Sequence, residues 1–260
     1  MIDLVARSLS VRLGRNEALD GIDLALAPGR FTVVIGPNGA GKSTLLRTLA
    51  GLLAPSAGSV TLSGRPVARM RAAERARSIA YLPQGGQVAW PLPVADVVAL
   101  GRLPHGEAPD SLPPEGRAAV ADALSAVGLR GFEQRPATEL SGGERARVLL
   151  ARALATKAPA ILADEPIAAL DPRHELLVLD VLKAQARAGA LVVAIMHNLT
   201  LAARYADAVV LLDRGRLKAH ALPAEVLTEA HLAESFGIAA HVAQEEGGLL
   251  VVADRPLPEA

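Results

Sequence analysis

The sequence has no cysteine and very few aromatic residues: Phe, Trp and Tyr make up 2% of its 260 residues. The absence of cysteine excludes disulfide bonds and thiolate metal sites, and it is typical of proteins in a reducing compartment. Net charge is also absent, because 27 Lys and Arg side chains balance 27 Asp and Glu side chains. A neutral chain has no overall attraction for nucleic acid or anionic lipid.

Long hydrophobic runs are missing too, although hydrophobic residues make up 51% of the chain. A helix that spans a bilayer needs about 18–20 consecutive apolar residues. The strongest apolar stretch, residues 190–196, ends at His197-Asn198. The first residues lack a basic leader, so we expect no signal peptide. The sequence therefore predicts a soluble chain that works at a membrane only through a partner.

The order of the predicted elements indicates an α/β fold with a helical insert. Alternating strands and helices predict a mostly parallel, buried sheet, preceded by an antiparallel N-terminal β unit. We expect one domain over residues 1–260: a core of 1–83 and 156–222, an insert of about 84–155, and a C-terminal extension of 223–260. The predicted strands cover residues 2–13, 18–26, 31–35, 160–163, 190–196 and 208–212, and the predicted helices cover 43–53, 118–127, 144–154, 173–187 and 199–205. The extension is expected to contain a short helix and a hairpin that turns at residues 245–248.

A glycine-rich loop follows the strand at residues 31–35. Glycines let successive backbone N–H groups point inward, and the positive end of the following helix adds to the attraction for phosphate. Lys42 supplies an ammonium group for the β- and γ-phosphates, and Ser43 presents a hydroxyl to Mg²⁺. The phosphate loop consists of Gly36, Pro37, Asn38, Gly39, Ala40, Gly41, Lys42, Ser43 and Thr44.

Two carboxylates, Asp164 and Glu165, follow the apolar strand 160–163 and precede Pro166. Two adjacent acids alone are typical of a solvated turn, but a buried strand gives its last residues a fixed position. Asp164 would hold Mg²⁺ through its water shell, because Mg²⁺ takes few carboxylates. Glu165 would face the γ-phosphate and orient or deprotonate the attacking water.

A second glycine-containing motif, Ser141-Gly142-Gly143-Glu144, begins a predicted helix. The spacing of Ser141 and Glu144 is that of a capping box, which on its own indicates only a good helix start. Glycine is unfavourable in a first helical turn, and it is useful there when another group must approach the backbone closely. An exposed helix N-terminus of this kind predicts an anion site.

With both motifs, the sequence resembles the ATP-binding subunits of ABC transporters over nearly its whole length. The resemblance implies that Ser141, Gly142 and Gly143, followed by Glu144, contact the γ-phosphate of an ATP held by Lys42 of an opposite subunit. One chain has one phosphate loop and one such segment, so two copies are needed to complete either site. We therefore expect a head-to-tail homodimer with ATP and Mg²⁺ at its interface. The resemblance also implies a transmembrane permease dimer as partner and a peripheral location on the cytoplasmic face of the inner membrane.

Three further residues have roles that only the resemblance implies. Gln84, at the joint between core and insert, would sense Mg²⁺ and water; alone, a glutamine is usually surface filler. His197 would contact the γ-phosphate; alone, a histidine after an apolar strand is usually structural. Asp171 would lie on a loop that crosses the dimer interface, and it is also suited to cap a helix.

Residues 11–15 mark a departure from the family, which often stacks adenine on an aromatic residue at this point. Base–aromatic stacking is worth about 1–3 kcal/mol, and no aromatic residue is present here. Leu13 or an arginine side chain has to take its place. The choice between ATP and GTP therefore stays open.

Residues 97–105 and 197–205 resemble segments found in importers of metal chelates, namely ferric siderophores, haem and vitamin B12. This implies an importer subunit with a periplasmic or extracellular substrate-binding protein as an indirect partner. The segments are also compatible with packing common to the whole family. The alternative function is a soluble ABC-type ATPase of repair or translation, but such proteins usually carry long coiled arms or two cassettes, and this chain has neither. We expect no nucleic-acid partner.

Overall fold

The computed structural model describes residues 2–86, 91–168 and 170–258. Its strands are β1 (Leu4–Leu13), β2 (Asn16–Leu26), β3 (Phe31–Ile35), β4 (Ala57–Leu62), β5 (Arg65–Pro66), β6 (Ile79–Leu82), β7 (Ala160–Ala163), β8 (Leu191–Ile195), β9 (Ala208–Asp213), β10 (Arg216–Ala221), β11 (Ile238–Glu245) and β12 (Gly248–Pro256). Its α-helices are α1 (Lys42–Leu49), α2 (Ala72–Ser78), α3 (Val94–Ala99), α4 (Pro114–Ala126), α5 (Gly142–Ala155), α6 (Pro172–Arg187), α7 (Leu199–Tyr205), α8 (Pro223–Val226) and α9 (Glu229–Phe236). Among these residues, none of the helices has the length and apolar character that crossing a bilayer requires.

The main sheet has the strand order β10-β9-β3-β8-β7-β6. The strands from β9 to β6 are parallel to their neighbours, and β10 pairs with β9 antiparallel. β3, β7, β8 and β9 are buried over their whole length. Strands buried on both faces are nearly continuous apolar runs rather than alternating ones, as these four are apart from Thr32 and Asp213. The predicted mostly parallel, buried sheet is confirmed.

Successive residues of β3 pack into two different hydrophobic clusters, because side chains alternate between the faces of a sheet. Val34 packs in one cluster with α1 and with a second, antiparallel sheet of order β2-β1-β4-β5. Val33 and Ile35 pack in the other cluster with the insert helices and α6. The main sheet is therefore covered on both faces, and α1 is held firmly behind the loop that follows β3.

The insert contains α3, α4 and α5, which share one apolar cluster. The helix predicted at residues 144–154 is confirmed as α5, which is slightly longer at both ends. Residues 87–90 of the predicted insert lie outside the described residues. The boundaries at residues 84, 155 and 223 stay a prediction.

Some predicted element bounds are wrong. β1 begins at Leu4 rather than at residue 2, and β2 begins at Asn16 rather than at residue 18, because two residues suffice for the turn between them. α1 ends at Leu49 rather than at residue 53. Gly51 adopts the left-handed conformation there (φ 68°), and its N–H donates to the Thr48 carbonyl at 3.0 Å, which closes the helix.

Among the elements that were not predicted, β6 and α3 are mostly buried, but others lack a clear apolar pattern. β4 begins with three exposed residues, and α2 has no buried residue. Without an apolar face, a helix has no detectable periodicity. In the C-terminal extension, by contrast, the predicted hairpin is confirmed as β11 and β12.

Candidate nucleotide-binding and catalytic site

Four neighbouring parallel strands bring the predicted site residues to one edge of the main sheet. The phosphate loop follows β3, His197 lies two residues after β8, Asp164 and Glu165 follow β7, and Gln84 lies two residues after β6. The strand order β3-β8-β7-β6 places these carboxyl ends side by side. Ligands of open α/β sheets bind at this edge.

The phosphate loop needs glycine at two positions for steric reasons. A Cβ atom at position 36 would lie 2.1 Å from the Leu212 carbonyl oxygen, and one at position 41 would lie 2.6 Å from that of Ala18. Gly41 is also left-handed, with φ 95°. The loop backbone is thus packed closely against β2 and β9, and a glycine-rich loop that leads into a helix is suited to bind phosphate groups.

Lys42, the first residue of α1, lies inside the phosphate loop with 7% of its surface exposed. Its Nζ donates to the carbonyl oxygens of Gly36 at 2.7 Å and Pro37 at 2.9 Å. Burial lowers the pKa of Lys42, and the nearby carboxylates of Glu165 and Asp164 oppose that shift. The ammonium group is therefore fixed in position next to both acids.

Asp164 is buried at the end of β7, with 4% of its surface exposed. Ser43 Oγ donates to its Oδ1 at 3.1 Å, and the Tyr81 hydroxyl donates to its Oδ2 at 3.3 Å. Burial raises the pKa of Asp164, partly offset by these two hydrogen bonds. Burial and the charge of Asp164 raise the pKa of Tyr81 to about 12, so its hydroxyl remains a donor. The hydroxyl and carboxylate oxygens of Ser43 and Asp164 are the hard ligands that suit Mg²⁺.

Glu165 connects the remaining predicted residues. Its Oε2 accepts a hydrogen bond from Gln84 Nε2 at 2.7 Å, and its Oε1 lies 2.7 Å from His197 Nε2. Its backbone is left-handed, with φ 52°, a conformation that costs a non-glycine residue about 1–3 kcal/mol and tends to occur at functional sites. The carboxylate is thereby held from two sides.

A cavity of about 420 Å³ extends from the phosphate loop to the turn between β1 and β2. Glu165 borders the cavity, as do Leu13, Asn16 and Ala18. Leu13 lines the cavity and is 47% exposed, so it is the candidate residue to pack against the nucleotide base. The cavity therefore offers an aliphatic rather than an aromatic surface to a base.

Ser141 and Glu144 form the predicted capping box at the start of α5. The Glu144 N–H donates to Ser141 Oγ at 3.2 Å, and the Ser141 N–H donates to Glu144 Oε2 at 2.8 Å. Ser141 and Gly142 are exposed, and a Cβ at position 142 would meet nothing within 4 Å. Both hydrogen bonds lie within the segment itself. Among the described residues, no side-chain hydrogen bond connects residues 141–144 to Glu165 or to its partners Gln84 and His197.

Asp171 caps α6, as its sequence context allows. Its Oδ1 accepts from the His174 N–H at 3.0 Å, and its Oδ2 lies 2.7 Å from His174 Nδ1. The side-chain and backbone hydrogen bonds with His174 lower the pKa of Asp171. The cap leaves the carboxylate exposed at the surface.

The sequence missed Tyr81 as part of the site. A single tyrosine three residues before Gln84 carries no recognisable motif, and its contact with Asp164 depends on the pairing of β6 with β7. The contacts of Glu165 with Gln84 and His197 were not predicted either, for the same reason.

Several known proteins are similar to this chain. A family model described as ABC transporter matches residues 19–168. The hemin import ATP-binding protein HmuV of Streptomyces coelicolor is 46% identical over 254 residues, covering 96% of this chain and 89% of the relative. The protein of the same name from Pseudomonas putida is 45% identical over 232 residues, covering 86% and 89%.

Two solved structures extend the similarity to three dimensions. A transporter assigned to the metal-chelate type, in an inward-facing conformation, has a TM-score of 0.82 at 27% identity, covering 100% of this chain and 99% of the other. A dimeric ATP-binding cassette bound to ADP and inorganic phosphate after hydrolysis has a TM-score of 0.75 at 26% identity, covering 85% and 98%.

Replacing Asp164 by Asn should stabilise the nucleotide-free chain at neutral pH. A carboxyl whose pKa is raised by folding binds more protons in the native state, so its ionisation opposes folding above its unfolded pKa. The penalty disappears as the pH falls below the unfolded pKa. Thermal unfolding should therefore give Asp164→Asn a higher Tm than the wild type at pH 7.5, with a difference that shrinks toward pH 4.

Asp171→Asn is the matched control, because asparagine caps helices as well as aspartate does. The pKa of Asp171 is lowered, so its ionisation supports folding above the unfolded pKa and that support is lost in acid. This variant should have a lower Tm than the wild type at pH 7.5. A destabilised Asp164→Asn at pH 7.5 would contradict the assignment.

Proposed function

The chain belongs to the ABC transporter family as an ATP-binding, ATP-hydrolysing subunit, and from this we propose that it powers the import of haem or a related iron chelate. The hemin-import names of relatives that cover most of the chain support this cargo. The similarity to a metal-chelate type transporter supports the same class. Ferric siderophores and cobalamin are the alternative cargoes.

The hydrolysis mechanism rests on one observation: Glu165 is held between Gln84 and His197 beside the phosphate loop. In this proposal, the phosphate-loop N–H groups and Lys42 bind the β- and γ-phosphates, and Leu13 packs against the base. Ser43, Asp164 and Gln84 hold Mg²⁺, which would neutralise charge on the phosphates.

Glu165 orients a water molecule and accepts its proton as the water oxygen bonds to the γ-phosphorus and the bond to the ADP oxygen breaks. His197 contacts the γ-phosphate and keeps the Glu165 carboxylate in place. The two short contacts to Glu165 support this arrangement, because a general base has to be held within hydrogen-bond reach of the proton it takes.

Dimerisation completes the site in this proposal. ATP-binding cassettes of this family form dimers. Ser141 and Gly142 are exposed, and within the part of the chain that the structure describes, the side-chain hydrogen bonds of their segment are local. The segment is thus free to contact the γ-phosphate of an ATP in a second, head-to-tail copy through Gly142, Gly143 and the positive end of α5. Asp171 would lie at the same interface.

The permease partner, at the cytoplasmic face of the membrane, would dock in a groove between the core and the insert. This groove of about 670 Å³ is lined mainly by apolar residues, among them Leu52, Leu100 and Leu103, and also by Arg75 and Arg152. Leu52 and Leu103 are 56% and 52% exposed, and exposed leucines at the mouth of a groove indicate a binding surface. Tyr81 lines the groove and contacts Asp164, which connects docking to the catalytic edge.

Glu165→Gln tests both hydrolysis and cargo. The variant should bind ATP and dimerise, but hydrolyse it at least about 100-fold more slowly, because general-base catalysis typically contributes 10²–10⁴-fold. Phosphate release measures the rate. In cells that lack the gene, the wild type should restore growth on haem as the iron source, and Glu165→Gln should not.

The control is Glu115→Gln, on the exposed first turn of α4, which should behave as the wild type. Hydrolysis at the wild-type rate in Glu165→Gln would remove Glu165 from its role. If the cells that lack the gene grow on haem as well as the wild type does, but fail to use a siderophore or cobalamin, then haem is not the cargo and one of these compounds is.

Ser141→Arg tests the dimeric site. A bulky cation at this helix N-terminus should block the approach of the partner's γ-phosphate. We expect turnover to fall at least about 100-fold, while nucleotide affinity of the monomer stays within about twofold. Equilibrium binding and phosphate release measure the two effects. Ser59→Arg, at an exposed position of β4, is the control, and weakened nucleotide binding by the Ser141→Arg monomer would contradict a role in trans.

Leu103→Glu tests the groove. A charge placed in the groove should reduce permease co-purification at least about tenfold, because docking would remove the carboxylate from water, and it should leave basal ATP hydrolysis unchanged. Leu222→Glu, at a position that is 57% exposed and outside the groove, is the control. Full permease binding by Leu103→Glu would exclude this groove.

A further inference from the structure

The hairpin of β11 and β12 packs against α7, the helix that follows His197. Leu249 and Val251 on β12 are buried in the same hydrophobic cluster as Ala202 and Ala203 of α7. The neighbouring Val252 is 46% exposed, so one face of β12 is directed at α7. The proposed mechanism assigns no role to this hairpin.

Thr200 connects the first turn of α7 to β12. Its Oγ1 donates to the Val251 carbonyl at 2.8 Å and accepts from the Val251 N–H at 3.1 Å. One side chain thus pairs with both backbone groups of one strand residue, which fixes the helix start relative to the hairpin. Asn198 caps the same turn by accepting from the Leu201 N–H at 3.0 Å.

The opposite end of α7 has its own anchors. Lys183 Nζ donates to the Tyr205 carbonyl at 2.8 Å, and the Tyr205 hydroxyl donates to Asp180 at 3.1 Å. Both partners lie on α6. The end of α7 next to His197 is therefore tied to the hairpin through Thr200, whereas the far end is tied to α6 and also, through Arg204 and Glu245 at 3.6 Å, to the turn of the hairpin.

The position of the His197 ring depends on the backbone that carries it. Its side chain is 46% exposed, so packing does not fix the ring. A cleft of about 500 Å³, lined by His197, Thr200, Phe236 and Val251, lies beside it. The ring has room to move into this cleft if the start of α7 shifts.

We propose that Thr200 is a positioning residue: through its paired hydrogen bonds to Val251, the C-terminal hairpin holds the start of α7 and so keeps His197 against Glu165. The inference deepens the proposed function, since it rests on the role of His197 in hydrolysis. It gives the extension at residues 223–258 a part in catalysis.

Thr200→Val tests the inference in the full-length chain, because valine keeps the shape of threonine and removes both hydrogen bonds. We expect kcat for ATP hydrolysis to fall about 5- to 20-fold with KM within about twofold, since a 1 Å misplacement can cost up to about 100-fold. Thr200→Ser, which keeps the hydroxyl, should restore kcat. Tyr205→Phe, which removes one hydrogen bond at the other end of α7, should leave kcat unchanged.

A double-mutant cycle separates positioning from general loosening of the fold. If Thr200 acts through His197, adding Thr200→Val to His197→Ala should lower kcat no further. In the nucleotide-free chain, the NMR signal of the His197 imidazole, assigned with His197→Ala, should shift in Thr200→Val and not in Tyr205→Phe. Thermal unfolding checks that the variants fold.

The two proposals fail in distinguishable ways. If His197→Ala alone hydrolyses ATP at the wild-type rate, the proposed role of His197 is wrong, and the imidazole signal still decides whether Thr200 positions the ring. If His197→Ala is slow, but Thr200→Val lowers kcat equally in both backgrounds or leaves the imidazole signal in place, the positioning role of Thr200 is overturned.

Discussion

The carboxyl ends of four adjacent parallel strands determine where every residue of the catalytic cluster lies. The strands β3, β8, β7 and β6 are distant in the chain but neighbours in the sheet. Each is followed by groups of different chemistry: the phosphate loop with the Lys42 ammonium group after β3, the His197 imidazole after β8, the two carboxylates after β7, and the Gln84 amide after β6. A buried sheet is rigid because its strands pack on both faces, so it fixes the positions from which these side chains extend.

Local motifs were the part of this site that sequence could predict. The phosphate loop, the Asp164-Glu165 pair and the capping box at Ser141 each lie within a few consecutive residues, and the hydrogen bonds between Ser141 and Glu144 confirm the predicted cap. The contacts among Gln84, Glu165 and His197 depend on strand order, which the chain does not show directly. The contact between Thr200 and Val251 spans 51 residues and joins two elements without a recognisable motif. The roles of these residues in hydrolysis stay predictions.

Function and stability oppose each other at this edge of the sheet. Burial disfavours the charged forms of both Asp164 and Lys42. It therefore raises the pKa of Asp164 and lowers the pKa of Lys42. Glu165 adopts a backbone conformation that other residues avoid. These costs are offset by the apolar clusters on both faces of the main sheet, which explains why the chain places its least favourable residues beside its most buried strands.

The separation of Thr200 from Val251 also has a consequence for biosynthesis. A ribosome adds about 5–20 residues per second, so the anchor of α7 is made roughly 3–10 s after the helix itself. During that interval the nascent chain already has its phosphate loop and both acidic residues, while the imidazole after β8 lacks the tie that we assign to it. On this assignment, the full rate of turnover would be reached only after the hairpin has been made.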